Sequence, residues 1–178
     1  MTDDERDSVA AAFNRKRMRK RQYFLQEGDV CKNLGFIVKG SARMFSVDDK
    51  EIEHITRFGL ENWWIGDQQS MVNLTPSKYN IEMLEDSELL ITTFSSVQEL
   101  RNKSRCFDLT ISQLEKYQII SMQNRIHAAI CMSAEERFLD LSSRYPEFLE
   151  RFPMNMIASY LGLSPETLSR IRKNTIRR

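Results

Sequence analysis

The spacing of apolar residues changes once along the chain. From Tyr23 to about Phe94, short apolar runs recur: YFL, GFIVKG, ARMFSV, HITRF, WWIG, YNIEML and ELLITTF. Turn-forming clusters separate them, at Glu27-Gly28-Asp29, Lys39-Gly40-Ser41, Asp48-Asp49-Lys50 and Thr75-Pro76-Ser77. Short strands at this spacing predict a sandwich, jelly roll or barrel. Residues 1–14 read as a short helix or a frayed lead-in. The run RKRMRKR, Arg15 to Arg21, places six basic residues in seven. It reads as a solvated approach to the first strand or as an arm for nucleic acid.

From about Ser104 the period becomes helical. Phe107 to Met132 contains no Gly and no Pro, and is long enough for about seven turns. One face carries Ile119, Met122, Ile126 and Ile130. A neighbouring face carries Ile111, Leu114, Gln118 and Ser121, with Arg125 in line. Two partly apolar faces predict a helix that packs on its own barrel and on a partner subunit. Ser133 with Glu136 three residues later is a capping box that opens the next helix. That helix runs from Ala134 to about Ser143 and stops at the Tyr145-Pro146 turn. Two short helices separated by Gly162 complete the chain.

Those last two helices fit a helix-turn-helix over Met154 to Lys173. Ile157 and Ala158 stand where the first helix packs closely, and Ala158 is small enough to let the second helix cross. Gly162 supplies the left-handed turn residue. Ser164 is a favoured N-cap and Pro165 a favoured first helical residue. Leu168 and Ile171, three apart, predict the buried face. Ser164, Glu166, Thr167, Ser169, Arg170 and Lys173 then supply groups able to reach base edges and phosphates.

Charge supports that placement. The net charge of the 178 residues is +1, so the total predicts no partner. Residues 151–178 hold six basic residues (Arg151, Arg170, Arg172, Lys173, Arg177, Arg178) against Glu166, a local +5 from six minus one. Such a concentration suits a polyanion. Hydrophobic content of 41% and charged content of 29% are those of a globular protein. No apolar run approaches the roughly 20 residues a membrane span needs, and the acidic start MTDDERDSVAAAF is not a secretory signal. The expected location is cytoplasmic, without membrane contact. Cys31, Cys106 and Cys131 are dispersed and odd in number, against both a disulfide framework and a thiolate-held iron–sulfur cluster. A metal-dependent barrel enzyme needs clustered His and carboxylate ligands. Only His54 and His127 exist, so neither a metal site nor a catalytic residue is assigned.

The order of elements resembles the CRP/FNR family of transcription regulators, which join a cyclic-nucleotide-binding β-roll, a long dimerisation helix and a helix-turn-helix. The resemblance rests on YFLQEGDVCKNLGFIVKGSARMF, EHITRFGLENWWIGD, PSKYNIEMLEDSELL, SAEERFLDL and IASYLGLSPETLSRIRK, phrases similar to a short subgroup of the Bacteroidetes lineage. It implies an α+β chain in three parts: a β-roll or jelly-roll sensor over 1–103, a dimerisation helix over 104–132, and a helix-turn-helix domain without a clear wing over 133–178. It implies a homodimer on double-stranded DNA, with RNA polymerase and a small-molecule effector as further partners. The dimer face it suggests is Ile111, Leu114, Gln118 and Met122.

Two departures matter. The family's recognition helix opens Arg-Glu-Thr with a second Arg in the next turn. Here Pro165 replaces the first Arg, while Glu166, Thr167 and Arg170 remain. Arg172, Arg177 and Arg178 are expected to take up backbone contacts that a wing makes elsewhere. In members that bind cyclic AMP, Gly-Glu-Leu-Ala and a later Arg-Ser-Ala hold the nucleotide. Here the matching residues are Gly66-Asp67-Gln68-Gln69 and Ser77-Lys78-Tyr79. Asp67 could hold a ribose hydroxyl, but Ser77 stands where the phosphate-binding arginine would be. Lys78, one residue along a strand, should face the other way. The expectation is therefore a frame of Gly66, Asp67, Ser77 and Lys78 that takes no cyclic nucleotide and is empty or tuned to another effector. The competing reading is a sensor or interaction module whose β-roll binds a ligand without reading DNA.

Overall fold

The computed structural model describes residues 1–176. Helix α1 (Asp3–Ala11) opens with a capping box that the sequence reading passed over. The Thr2 hydroxyl accepts from the Glu5 amide at 3.2 Å, and the Glu5 carboxylate accepts from the Thr2 amide at 2.7 Å.

Eight strands follow: β1 (Asn14–Met18), β2 (Tyr23–Leu25), β3 (Asn33–Lys39), β4 (Ala42–Val47), β5 (Glu53–Gly59), β6 (Trp64–Ile65), β7 (Asn80–Met83) and β8 (Ser87–Thr93). They form two four-stranded sheets, ordered β1-β8-β3-β6 and β2-β7-β4-β5. The seven predicted runs all carry strands. The basic run does too: β1 pairs antiparallel with β8, Asn14 opposite Ile91 and Met18 opposite Ser87. Its alternation is invisible in composition because only Met18 turns inward. Glu88 receives Arg15 at 2.8 Å and Arg17 at 3.1 Å, and these cations hold its carboxyl below the usual range.

Between the sheets lie Met18, Ile37, Ile65, Ile81, Met83 and Leu89, each at most 5% exposed. Period-2 alternation delivers them there. Two elements of this half were not legible from the pattern. Helix α2 (Gln68–Asn73) interrupts the loop between β6 and β7, and α3 (Phe94–Lys103) follows β8 directly with Thr93 as N-cap.

The long helix α4 spans Arg105–Cys131, two residues earlier than predicted at its start. After it come α5 (Ala134–Arg144), α6 (Pro146–Arg151), α7 (Met154–Leu161) and α8 (Pro165–Ile176). The Ser133–Glu136 capping box is present. Pro146, read as a stop signal, also opens α6 at its first turn.

The chain divides into two compact units. One comprises 1–52 and 56–114; the other comprises 53–55 and 115–178. The division falls inside α4, not at its start. The first part of α4 belongs to the core of its own unit: Phe107 and Ile111 join Val97 and Leu100 in one buried cluster.

Candidate nucleic-acid interface and effector cassette

Within the second unit, α7 and α8 form the predicted helix pair. Ile157 and Ala158 have no exposed surface, Leu168 is 1% exposed and Ile171 is buried. Gly162 closes α7 at φ +66°, ψ +38°, the left-handed region that favours glycine. The Leu163 amide returns to the Ala158 carbonyl at 2.9 Å, a closure typical of helix C-termini. A Cβ at Gly162 would meet only Nη1 of Arg137 within 4 Å, at 3.8 Å, so conformation, not space, selects glycine there.

Ser164 caps α8. Its hydroxyl accepts from the Thr167 amide at 3.2 Å and donates to the Thr167 hydroxyl at 3.1 Å. Thr167 is therefore engaged in the cap and half-buried. Glu166, Ser169, Arg170 and Lys173 are exposed. Their spacing of three and four places them on one face, opposite Leu168 and Ile171. The Glu166 carboxyl is held below its ordinary range by its own backbone amide and then by Ser164. Arg172 is exposed as well. Arg177 and Arg178, expected to touch the DNA backbone, lie outside the described residues.

Two arginines grip the end of α7. Arg137, from α5, donates from Nη1 to the Leu161 carbonyl at 2.9 Å. Arg125, from α4, donates from Nη2 to the Tyr160 carbonyl at 3.0 Å and to the Ile55 carbonyl at 3.1 Å. Its guanidinium lies 4.1 Å from the centre of the Tyr160 ring. Burial lowers its pKa and Tyr160 opposes that. Cations at these carbonyls complement both the unpaired acceptors and the negative end of the helix dipole. The sequence placed Arg125 on a stripe of α4 but gave it no task.

On α4 the suggested dimer face divides. Ile111 is 9% exposed and already packed in its own unit, so it is corrected out of that face. Leu114 is 37% exposed, Gln118 half-buried and Met122 59% exposed. The larger apolar surface is the other predicted stripe: Ile119, Met122, Ile126 and Ile130 are 56%, 59%, 58% and 77% exposed.

In the first unit, the cassette is closed on itself. Gly66 turns the chain at φ +153°. Asp67 is 6% exposed and Ser77 3%. One Asp67 carboxylate oxygen caps α2, accepting from the Gln69 and Ser70 amides at 3.1 and 3.3 Å. The other accepts from the Ser77 hydroxyl at 2.7 Å. The Ser77 hydroxyl in turn accepts from the Tyr79 amide at 3.0 Å. Ser70 receives the Cys31 amide at 2.9 Å and donates to the Thr75 carbonyl at 2.6 Å. Lys78 faces outward, its ammonium 5.3 Å from the centre of the Tyr79 ring. Trp64 packs on Phe13 and Phe36 with centroids at 5.9 and 5.3 Å.

A buried cation is present after all, unnoticed in sequence. Arg43 is 8% exposed and meets Glu82 at 2.7 Å across β4 and β7, with its guanidinium 4.2 Å from the Phe45 ring centre. The void beside it, lined by Arg43, Arg57, Gly59 and Gly66, measures about 10 Å³, at the lower limit for a single water. Among the described residues, no group of three or more His, Cys, Asp or Glu could hold a metal, and no helix is long and apolar enough to cross a membrane.

Residues 15–104 match the family described as the cyclic nucleotide-binding domain. Regulatory protein HlyX of Actinobacillus pleuropneumoniae is 31% identical over 168 residues, covering 88% of this chain and 69% of HlyX. The chain belongs to the CRP/FNR family. It spans 66% to 74% of the length of the curated relatives it matches. Among solved structures, a CooA variant from Carboxydothermus hydrogenoformans shares the fold at a TM-score of 0.76. The two are 14% identical, over 95% of this chain and 78% of that one. A transcriptional regulator of the crp/fnr family from Eubacterium rectale gives 0.70 at 14% identity, over 99% and 85%. This CRP/FNR chain thus keeps the family's β-roll and helix pair, while Asp67 and Ser77 turn their polar groups toward each other.

Proposed function

We propose that this chain is a DNA-binding transcription regulator that works as a cytoplasmic homodimer on a pseudo-palindromic site. The observation that carries the reading is the outer face of α8, with Glu166, Ser169, Arg170 and Lys173 exposed around a capped, cation-anchored turn. Glu166 can accept from a cytosine amino group and Arg170 can donate twice to a guanine, while Lys173 and Arg172 suit phosphates. The Ile119–Ile130 stripe supports pairing of two α4 helices, because four large apolar side chains in one row are costly to leave in water. Pairing would set two copies of α8 into successive major grooves, about one helical turn apart. RNA polymerase is the partner such a regulator would recruit or block.

The cassette is proposed not to take cyclic AMP. A phosphate entering it would meet the Asp67 carboxylate instead of a guanidinium, and would have to break the Asp67–Ser77 bond. No other effector is assigned.

Selection from a random duplex pool, followed by binding measurements on the recovered site, tests the DNA reading. Arg170→Ala is expected to cost about 1–3 kcal/mol of affinity and to relax one base position. Wild-type protein that recovers no sequence, or an Arg170→Ala variant as tight and selective as wild type, defeats it.

A further inference from the structure

We propose that Arg125 is a positioning residue that sets the spacing of the two recognition helices in the dimer. The inference rests on the dimeric DNA-binding reading above.

The chain itself ties α4 to α7 only through intervening helices. Two residues, Met132 and Ser133, separate α4 from α5, and α5 and α6 intervene before α7 begins. Arg125 bypasses that path. From the face of α4 beside the exposed stripe, at a position between Met122 and Ile126 in the chain, it reaches directly to the Tyr160 carbonyl, five residues before α8 begins. The same Nη2 holds the Ile55 carbonyl. Residues 53–55, which belong to this unit, are fixed to α7 a second time by Ser159. Its hydroxyl accepts from the Ile55 amide and donates to the Glu53 carbonyl, both at 3.0 Å. The Tyr160 ring lies against the guanidinium and also meets Phe148 edge to face, at 6.0 Å between ring centres.

A planar guanidinium stacked on a ring and bonded to two carbonyls has little rotational freedom. The helix that carries the dimer stripe is therefore coupled to the end of α7 by a stiff, charge-assisted contact. Arg137 holds the next carbonyl, Leu161, from α5, but α5 carries no part of the stripe. Arg125 alone of the pair connects the dimer face to the reading head. Placing two heads at a fixed separation requires that connection to be rigid. One inserted base pair rotates a half-site by about 34° and moves it by about 3.4 Å. A rigid pair cannot follow that change, and a loosened pair can.

The test uses the full chain and duplexes built on the site selected by wild type, with zero or one base pair inserted between half-sites. Wild type is expected to lose about tenfold or more in affinity on insertion, comparable to a lost base contact. Arg125→Met is expected to remain dimeric by light scattering and to discriminate less than about threefold, with weaker binding to the native spacing. Arg125→Lys keeps the charge without the fork and should fall between the two; it also serves if the methionine variant does not fold. Simple loss of stability would lower affinity for both duplexes together and leave their ratio untouched. An Arg125→Met or Arg125→Lys protein that discriminates as sharply as wild type overturns the proposal while leaving the DNA-binding reading intact. A wild type that selects no paired half-sites defeats that reading, and this inference with it.

Discussion

Two loops built around a glycine of positive φ have opposite fates in this molecule. At Gly66 the chain turns into α2, and its buried polar side chains are directed inward: Asp67 to the α2 amides and Ser77, Ser70 to Thr75 and Cys31. At Gly162 the chain turns into α8, the cap is satisfied locally by Ser164, and the next two turns send their polar groups outward. The glycines differ in the same sense. A Cβ at Gly66 would press on Leu34 at 3.0 Å, whereas one at Gly162 would meet open space apart from Arg137. With a hydroxyl at Ser77, the polar groups of this loop find one another. The Asp67 carboxylate takes its partner within the chain, at Ser77.

Four substitutions or additions would break or sharpen that contrast. The largest effect is expected from Asp67→Ala, which removes an N-cap and strands the buried Ser77 hydroxyl. It should cost about 2–3 kcal/mol in urea unfolding, with intact affinity of the folded fraction for DNA. A loss below about 0.5 kcal/mol would mean the network does not hold the cassette shut. Gly162→Ala should cost about 1–2 kcal/mol through its left-handed conformation and, unlike the cassette variant, should also weaken DNA binding of the folded protein. Equal DNA affinity of the folded variant would show that α8 is placed by its packing alone. Ser164→Ala removes the α8 cap and should lower stability by about 1 kcal/mol, read as a shift of the unfolding midpoint at constant slope. The smallest effect is expected from cyclic AMP, which should leave the melting temperature unchanged at millimolar concentration. A ligand at a hundred times its dissociation constant would add about 2.7 kcal/mol, so a clear rise would reopen the cassette.

The same contrast explains how far the sequence could be read. The helix-turn-helix is encoded in signals that act within a few residues: Gly162 for a left-handed turn, Ser164 and Pro165 for a helix start, Leu168 and Ile171 for one buried face. Such signals survive without knowledge of the rest of the chain. The bond between Asp67 and Ser77 spans ten residues and a helix too short to show a period. The sequence therefore offered Asp67 as a ligand group and gave no sign of its role as the α2 cap. Ile111 failed for a related reason. Its spacing to Leu114 and Gln118 correctly identifies a face, but periodicity cannot say that the first turns of that face are covered by α3. Thr93, a readable N-cap, was hidden because the apolar run ELLITTF continues across it into α3. Arg43 and Glu82 were hidden because two charges 39 residues apart announce nothing until strands β4 and β7 pair.

Strand β1 has a consequence for self-association. It occupies one end of its sheet, with β8 as its only ladder neighbour among the described residues, so its outer backbone groups form the kind of border along which a second copy could add itself. Arg15, Lys16, Arg17, Arg19, Lys20 and Arg21 stand along and just beyond that border, all exposed. Two copies meeting there would bring six cations against six, with Glu88 and Asp86 of each copy only partly offsetting them. Crowding those cations at the border thus disfavours edge-to-edge addition of a second copy to this sheet.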